Sequence, residues 1–116
     1  MSTVVPHAVF EDIEVSTDGL TADQVLRTFD LLRRRLAARA TGYEGASAGY
    51  SQLRWDVLPQ EGGRLTAEAA PLHSGERWQR VEYRATFRPR SGDAPRVLAV
   101  GIGQTVGLRA RTPVEA

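Results

Sequence analysis

Residues 20–42, LTADQVLRTFDLLRRRLAARATG, decide how the rest of the chain must be arranged. Thr21 is a natural N-cap and Gln24 stands at N3, so each side chain can satisfy a backbone donor of the other as a capping box. Leu20 and Val25 then occupy the N′ and N4 positions of a hydrophobic staple. At the far end Gly42 can take the left-handed conformation that stops a helix. The spacing predicts a helix over about 21–41. Within it Val25, Phe29, Leu32, Leu36 and Ala40 recur at three or four and form one apolar stripe, with Arg33, Arg34, Arg35 and Arg39 beside or behind it. Asp23 with Arg27, and Asp30 with Arg34, are acid-first pairs four apart, each worth about 0.2–0.5 kcal/mol on an exposed face.

On both sides of this helix the hydrophobic period falls from 3.6 to 2. Before it, AVFEDIEV (8–15) alternates Val9, Ile13 and Val15 against Phe10, Asp12 and Glu14, with Glu11 discordant. After it, Leu53, Trp55 and Val57 share one side of a strand, and Leu65, Ala67 and Ala69 share one side of the next. WQRVEYRATFRP (78–89) turns Val81, Tyr83, Ala85 and Phe87 one way and Arg80, Glu82, Arg84 and Arg88 the other. Such an arginine side is the wet face of an antiparallel sheet; the alternative is a strip for an acidic ligand such as coenzyme phosphates, where arginine forks are apt. The last strand, RVLAVGIGQTVGL (96–108), lacks charge on both sides beyond its first residue and is expected to be buried on both faces. Short connections make the four closing strands, over about 48–108, a meander of hairpins. The expected fold is α+β, a curved antiparallel sheet in the order β-α-β-β-β-β packed on one amphipathic helix, as a single domain over 1–116 with a frayed end from 109.

Composition narrows the function classes. With 41% hydrophobic and 25% charged residues, the chain of 116 residues is of ordinary globular make-up. Fourteen acidic residues nearly balance the 15 basic ones, all of them arginine, for a net charge of +1. A nucleic-acid binder needs many uncompensated phosphate contacts, so that class is disfavoured. No cysteine is present, which removes disulfides, thiolate nucleophiles and cysteine zinc sites. His7 and His73 are the two histidines, too few for a histidine-rich metal site. No run reaches the roughly 20 apolar residues that span a bilayer. The reading is a cytoplasmic protein with no metal, no cofactor, no nucleic acid and no membrane contact.

GGRLTAEAAPLHSGERWQRVEYRATFRP, followed by RVLAVGIGQTV, resembles the second half of hotdog-fold acyl-coenzyme A thioesterases and related dehydratases. The likeness covers roughly residues 48–107 and is one of strand pattern. It implies a sheet wrapped around a central helix, action on an acyl thioester by hydrolysis or by hydration and dehydration, and a homo-oligomer, most simply a dimer. Members of that family usually carry a Gly-Gly turn before an apolar helix that holds the catalytic carboxylate. STDGLTADQ has one glycine instead, and the helix is arginine-rich, so that signature is absent.

Asp30, Glu44 and His73 are the candidate acid–base residues. Asp30 is the helical carboxylate near the middle position, although the wheel turns it from the stripe toward Arg34; Glu44 lies in GYEGASAG, a glycine-rich link that is either a substrate loop or a connector. His73 stands at a turn. Backbone amides at the helix start are expected to polarise the thioester carbonyl. Tyr43, Tyr50, Trp55, Trp78, Arg80 and Arg84 are the candidate substrate-binding residues. Two other functions stay open: a non-catalytic dimeric domain that binds an apolar small molecule or a protein, and an isomerase or cyclase of the cone-shaped fold.

Overall fold

The computed structural model describes residues 8–108; His7 and the expected frayed end from 109 lie outside them. The elements follow the order β1 (Val9–Val15), α1 (Ala22–Thr41), β2 (Ala46–Trp55), β3 (Gly63–Ser74), β4 (Trp78–Pro89) and β5 (Arg96–Val106). The helix begins and ends where its caps require. Thr21 accepts from the Gln24 amide at 3.2 Å, Gln24 accepts from the Thr21 amide at 2.8 Å, and Gly42 closes the last turn at φ 83°.

Five strands make one antiparallel sheet in the order β1-β3-β4-β5-β2. The sequence reading of a four-strand meander is corrected here. β3, β4 and β5 are joined by hairpins, but β2 lies at the far edge against β5. From that edge to β3 is three strand spacings, about 15 Å, and seven residues in extended form reach about 25 Å, so residues 56–62 were long enough to cross. They run under the end of the sheet, anchored by Asp56 N to Leu98 O and by Leu20 N to Pro59 O, both at 3.0 Å or less.

β2 departs from its expected form in two further ways. It starts at Ala46, so half of the supposed link GYEGASAG is strand. Its register against β5 slips between Ser47 and Tyr50 and again between Ser51 and Arg54, each slip adding one unpaired residue as a bulge does. Leu53 and Trp55 do face the helix side, against Gly101 and Ala99, but at the sheet edge Leu53 is only half-buried and Trp55 exposed, while Val57, beyond the end of the strand, is 75% exposed.

The core lies between the helix and one face of the sheet. Val25, Phe29, Leu32 and Leu36 meet Leu65, Ala67, Ala69, Val81, Tyr83, Ala85, Phe87, Leu98 and Ala99. Alanines on β3, β4 and β5 leave the depth that a helix needs, and each fully buried Leu, Val or Phe contributes about 1.5–3 kcal/mol. Ala37 takes the buried place expected for Ala40, which is exposed. On the other face Arg80, Glu82, Arg84 and Arg88 are exposed, as the alternation requires. β5 is not covered on both sides: its inner residues Ala99, Gly101, Gly103 and Thr105 are buried, whereas Val100, Ile102 and Val106 are only half-buried on the outer face. Glu11, the discordant residue of β1, forms an ion pair with Arg35 of the helix at 2.6 Å.

Candidate functional site

Arg33 overturns the sequence reading of the helix arginines. It is 4% exposed, inside the core rather than beside the stripe. Its position four residues after Phe29 stacks it on the same face one turn along. A buried guanidinium must be neutralised and hydrogen-bonded, and both conditions are met: Nε donates to Asp30 Oδ1 at 2.7 Å and Nη1 donates to the Glu44 carbonyl at 2.6 Å. This arrangement ties the middle of the helix to the start of the chain segment that leads into β2.

Asp30 accepts from Arg34 as well, Oδ2 to Nε at 3.2 Å, and keeps 40% of its side chain exposed. Each carboxylate oxygen is thus held by one guanidinium, which leaves the remaining lone pairs open to solvent. Glu44 is more remote, 3.9 Å from Arg34 Nη1 and 60% exposed. Behind Asp30 lies an aromatic cluster. Tyr83 is 4.9 Å from Phe29 between ring centroids, and Tyr50 approaches Tyr83 edge-on at 5.5 Å. Both rings rest against Gly103, where an added Cβ would lie 2.8 Å from the Tyr83 ring and 3.2 Å from the Tyr50 ring.

These phenols sense the charges of the helix. Burial pushes the Tyr50 hydroxyl up from its ordinary pKa, the Asp30 charge adds to the rise, and Arg33 opposes it. Tyr83 is pushed up further, by burial first and then by Tyr50, with Arg33 again opposing. Tyr50 stays a protonated donor throughout the physiological range, and its hydroxyl has no hydrogen-bond partner among the described residues. A carboxylate that can take a proton and a phenol that can give a hydrogen bond therefore share one edge of the helix–sheet interface.

Of the expected site residues, Asp30 and Tyr50 are brought together here, with Glu44 at the rim. His73 is exposed opposite Arg80, just past a register slip of β3. Tyr43, Trp55 and Trp78 are exposed by 45%, 37% and 37%. Arg80 and Arg84 lie on the outer face, which the sheet itself separates from Asp30. The helix start is separated too: eight residues of rise place its first amides about 12 Å from Asp30, so they cannot serve the same carbonyl within one subunit. Arg33 and Tyr83 were missed as site residues. Their signals were the i+4 relation to Phe29 and the glycines of β5 beside an inward tyrosine.

No protein-family model and no curated protein sequence matches the chain. Its structure, however, is similar to solved ones. A β-alanyl-CoA:ammonia lyase from Clostridium propionicum superposes with a TM-score of 0.78 over 95% of this chain and 94% of that one, at 10% identity. An acyl-CoA hydrolase from Bacillus cereus gives 0.76 over 87% of this chain at 16% identity. An apo-hexameric acyl-CoA thioesterase gives 0.76 over 86% at 13% identity. The present chain spans 65% of the length of the hydrolase and 68% of that of the thioesterase. At such identities the likeness speaks for architecture, and the architecture it identifies, five antiparallel strands wrapped on one helix, is the hotdog fold.

Proposed function

We propose that this protein is a cytoplasmic homo-oligomer that acts on acyl thioesters, by hydrolysis or by hydration and dehydration of the acyl chain. The observation that carries the reading is Asp30, a part-exposed carboxylate on the central helix beside a protonated phenol, in a fold whose similar structures are named for enzymes of acyl-CoA. In hydrolysis Asp30 removes a proton from water, the water oxygen attacks the thioester carbon, and the C–S bond breaks as the proton passes to the leaving sulfur. Tyr50 donates to the carbonyl oxygen as negative charge develops there. Arg33 and Arg34 hold the carboxylate in place. In hydration the same carboxylate takes a proton from water as the water oxygen bonds to the β carbon of a 2-enoyl thioester, and returns a proton to the α carbon as the C=C π bond is lost; dehydration is the reverse. Glu44 is the second candidate for the base.

β2 supports the oligomer: it is an edge strand, exposed along its length except at Tyr50 and Leu53, and an edge of this kind is normally covered. Sedimentation should give a multiple of 12.7 kDa; a particle of that mass alone would contradict it.

One observation favours a non-catalytic, ligand-binding reading, namely that both oxygens of Asp30 are occupied by guanidinia. Thiol release from a panel of saturated acyl-CoA substrates, together with hydration of 2-enoyl-CoA, separates the two. Turnover of at least one substrate that Asp30→Asn lowers and Glu44→Gln leaves unchanged supports the first reading with Asp30 as base. Absence of turnover with every substrate supports the second.

A further inference from the structure

The outer face of the sheet carries a second feature that the helix-side chemistry leaves unused. β4 presents Arg80, Glu82 and Arg84 there, and β5 places Gln104, Ile102 and Val100 directly opposite them in turn. On the other flank of β5, Arg54 of β2 is the register partner of the same Val100. Arg84 and Arg54 thus face each other across one half-buried valine, two strand spacings or about 10 Å apart at the backbone. A depression of about 330 Å³ lies between them, lined by both arginines, Glu82, Val100 and Ile102, and an adjoining one of about 160 Å³ shares Ile102 and reaches Arg80.

The arginines of this groove outnumber its carboxylate, Glu82, and form no ion pair among the described residues, although Glu68 of β3 is the register partner of Arg84. Arg27, Arg33, Arg34, Arg35 and Arg96 are each engaged by a carboxylate. Arg54, Arg80 and Arg84 have no ion-pair partner among the described residues, and Glu82 is not within bridging distance of either neighbour. Gln52, which also lines the larger depression, holds φ at 56°. Non-glycine residues in that region are uncommon and cluster at ligand clamps.

We propose that this groove binds the diphosphate group of a small molecule. Arg54 and Arg84 grip the two phosphates from opposite flanks with the planar forks that suit them, Val100 and Ile102 form an apolar floor, and Glu82 accepts from a hydroxyl such as that of a ribose. An extended nucleic acid is disfavoured because Asp12, Glu14 and Glu68 share the face. The inference is independent of the thioester reading, since it is tested by binding and not by turnover.

Calorimetric titration at low salt with inorganic diphosphate, ADP, coenzyme A and adenosine tests it on the wild type and on Arg54→Gln, Arg84→Gln and Arg88→Gln. Arg88 is an exposed outer-face arginine that does not line the groove. Expected is binding of the diphosphate-bearing compounds but not of adenosine, weakened by about tenfold or more in Arg54→Gln and in Arg84→Gln, unchanged in Arg88→Gln, and falling with added salt. The tightest of the three names the source of the diphosphate. No binding of any of them, or binding that Arg54→Gln and Arg84→Gln leave intact, or an equal loss in Arg88→Gln, overturns the proposal. Unchanged circular dichroism melts of the three variants exclude unfolding as the cause of a loss.

Discussion

Gln52 occupies a left-handed backbone conformation, φ 56°, within the second bulge of β2, which costs an L-residue about 1–2 kcal/mol. Gln52→Gly removes that cost and adds a smaller one from the freer unfolded chain. Stability is expected to rise by about 0.5–1 kcal/mol, measured by urea unfolding; a loss of stability would mean that the side chain, not the backbone, holds the bulge. Neither this strain nor the bulge is written in the alternation of YSQLRW, because a bulge adds a residue without changing the residue types around it. Arg33 was half legible. Its i+4 spacing from Phe29 marks the inner face, but nothing local states that Asp30 and the Glu44 carbonyl will be there to satisfy it. Asp30 could be picked out as a helical carboxylate, while its nearness to Tyr50 and Tyr83 depends on a contact between elements 20 and 53 residues apart.

Among the elements, α1 was the most legible because everything that defines it is local. Thr21 and Gln24 close the box as their spacing demands, and the i,i+4 pair of Asp23 with Arg27 forms at 2.9 Å on the exposed side. Thr21→Ala is expected to lower stability by about 1 kcal/mol. A double-mutant cycle with Gln24→Ala should show that the two losses are not additive, since each residue caps the other; additive losses would contradict a reciprocal box. β3 and β4 were legible for a similar reason, being neighbours in sequence joined by a short turn. β2 was not. Its partner β5 lies about forty residues further along, and a connection of seven residues is compatible both with a hairpin and with a crossing beneath two strands. The glycines of β5 mark a close approach by side chains of other strands, Leu53 at Gly101 and Tyr50 and Tyr83 at Gly103.

For the whole molecule, the composition makes one global property unusually clean. The chain has no lysine and no cysteine, so tyrosine is its one side-chain type whose ordinary pKa lies near 10. Tyr50 and Tyr83 keep their protons in the folded state beyond the point where the unfolded chain loses them, from an ordinary value of 10.0. The folded state then binds more protons than the unfolded one, so stability is full below pH 10 and falls as pH rises above it. Each such tyrosine adds a slope of about 1.4 kcal/mol per pH unit until it titrates in the folded state. Tyr83→Phe should flatten this fall relative to the wild type in urea unfolding between pH 10 and 11.5; an equal fall in both would show that Tyr83 is not the group responsible. The hotdog architecture itself was legible from the strand pattern of its second half, whereas the catalytic signature of that family is absent and the site had to be found from geometry. The assignment of Asp30 as the base is therefore tested most directly by steady-state release of free thiol from an acyl-CoA that the wild type cleaves, comparing it with Asp30→Asn. The expected result is a fall in kcat of about a hundredfold or more with KM little changed; a variant that turns over as fast as the wild type would contradict it.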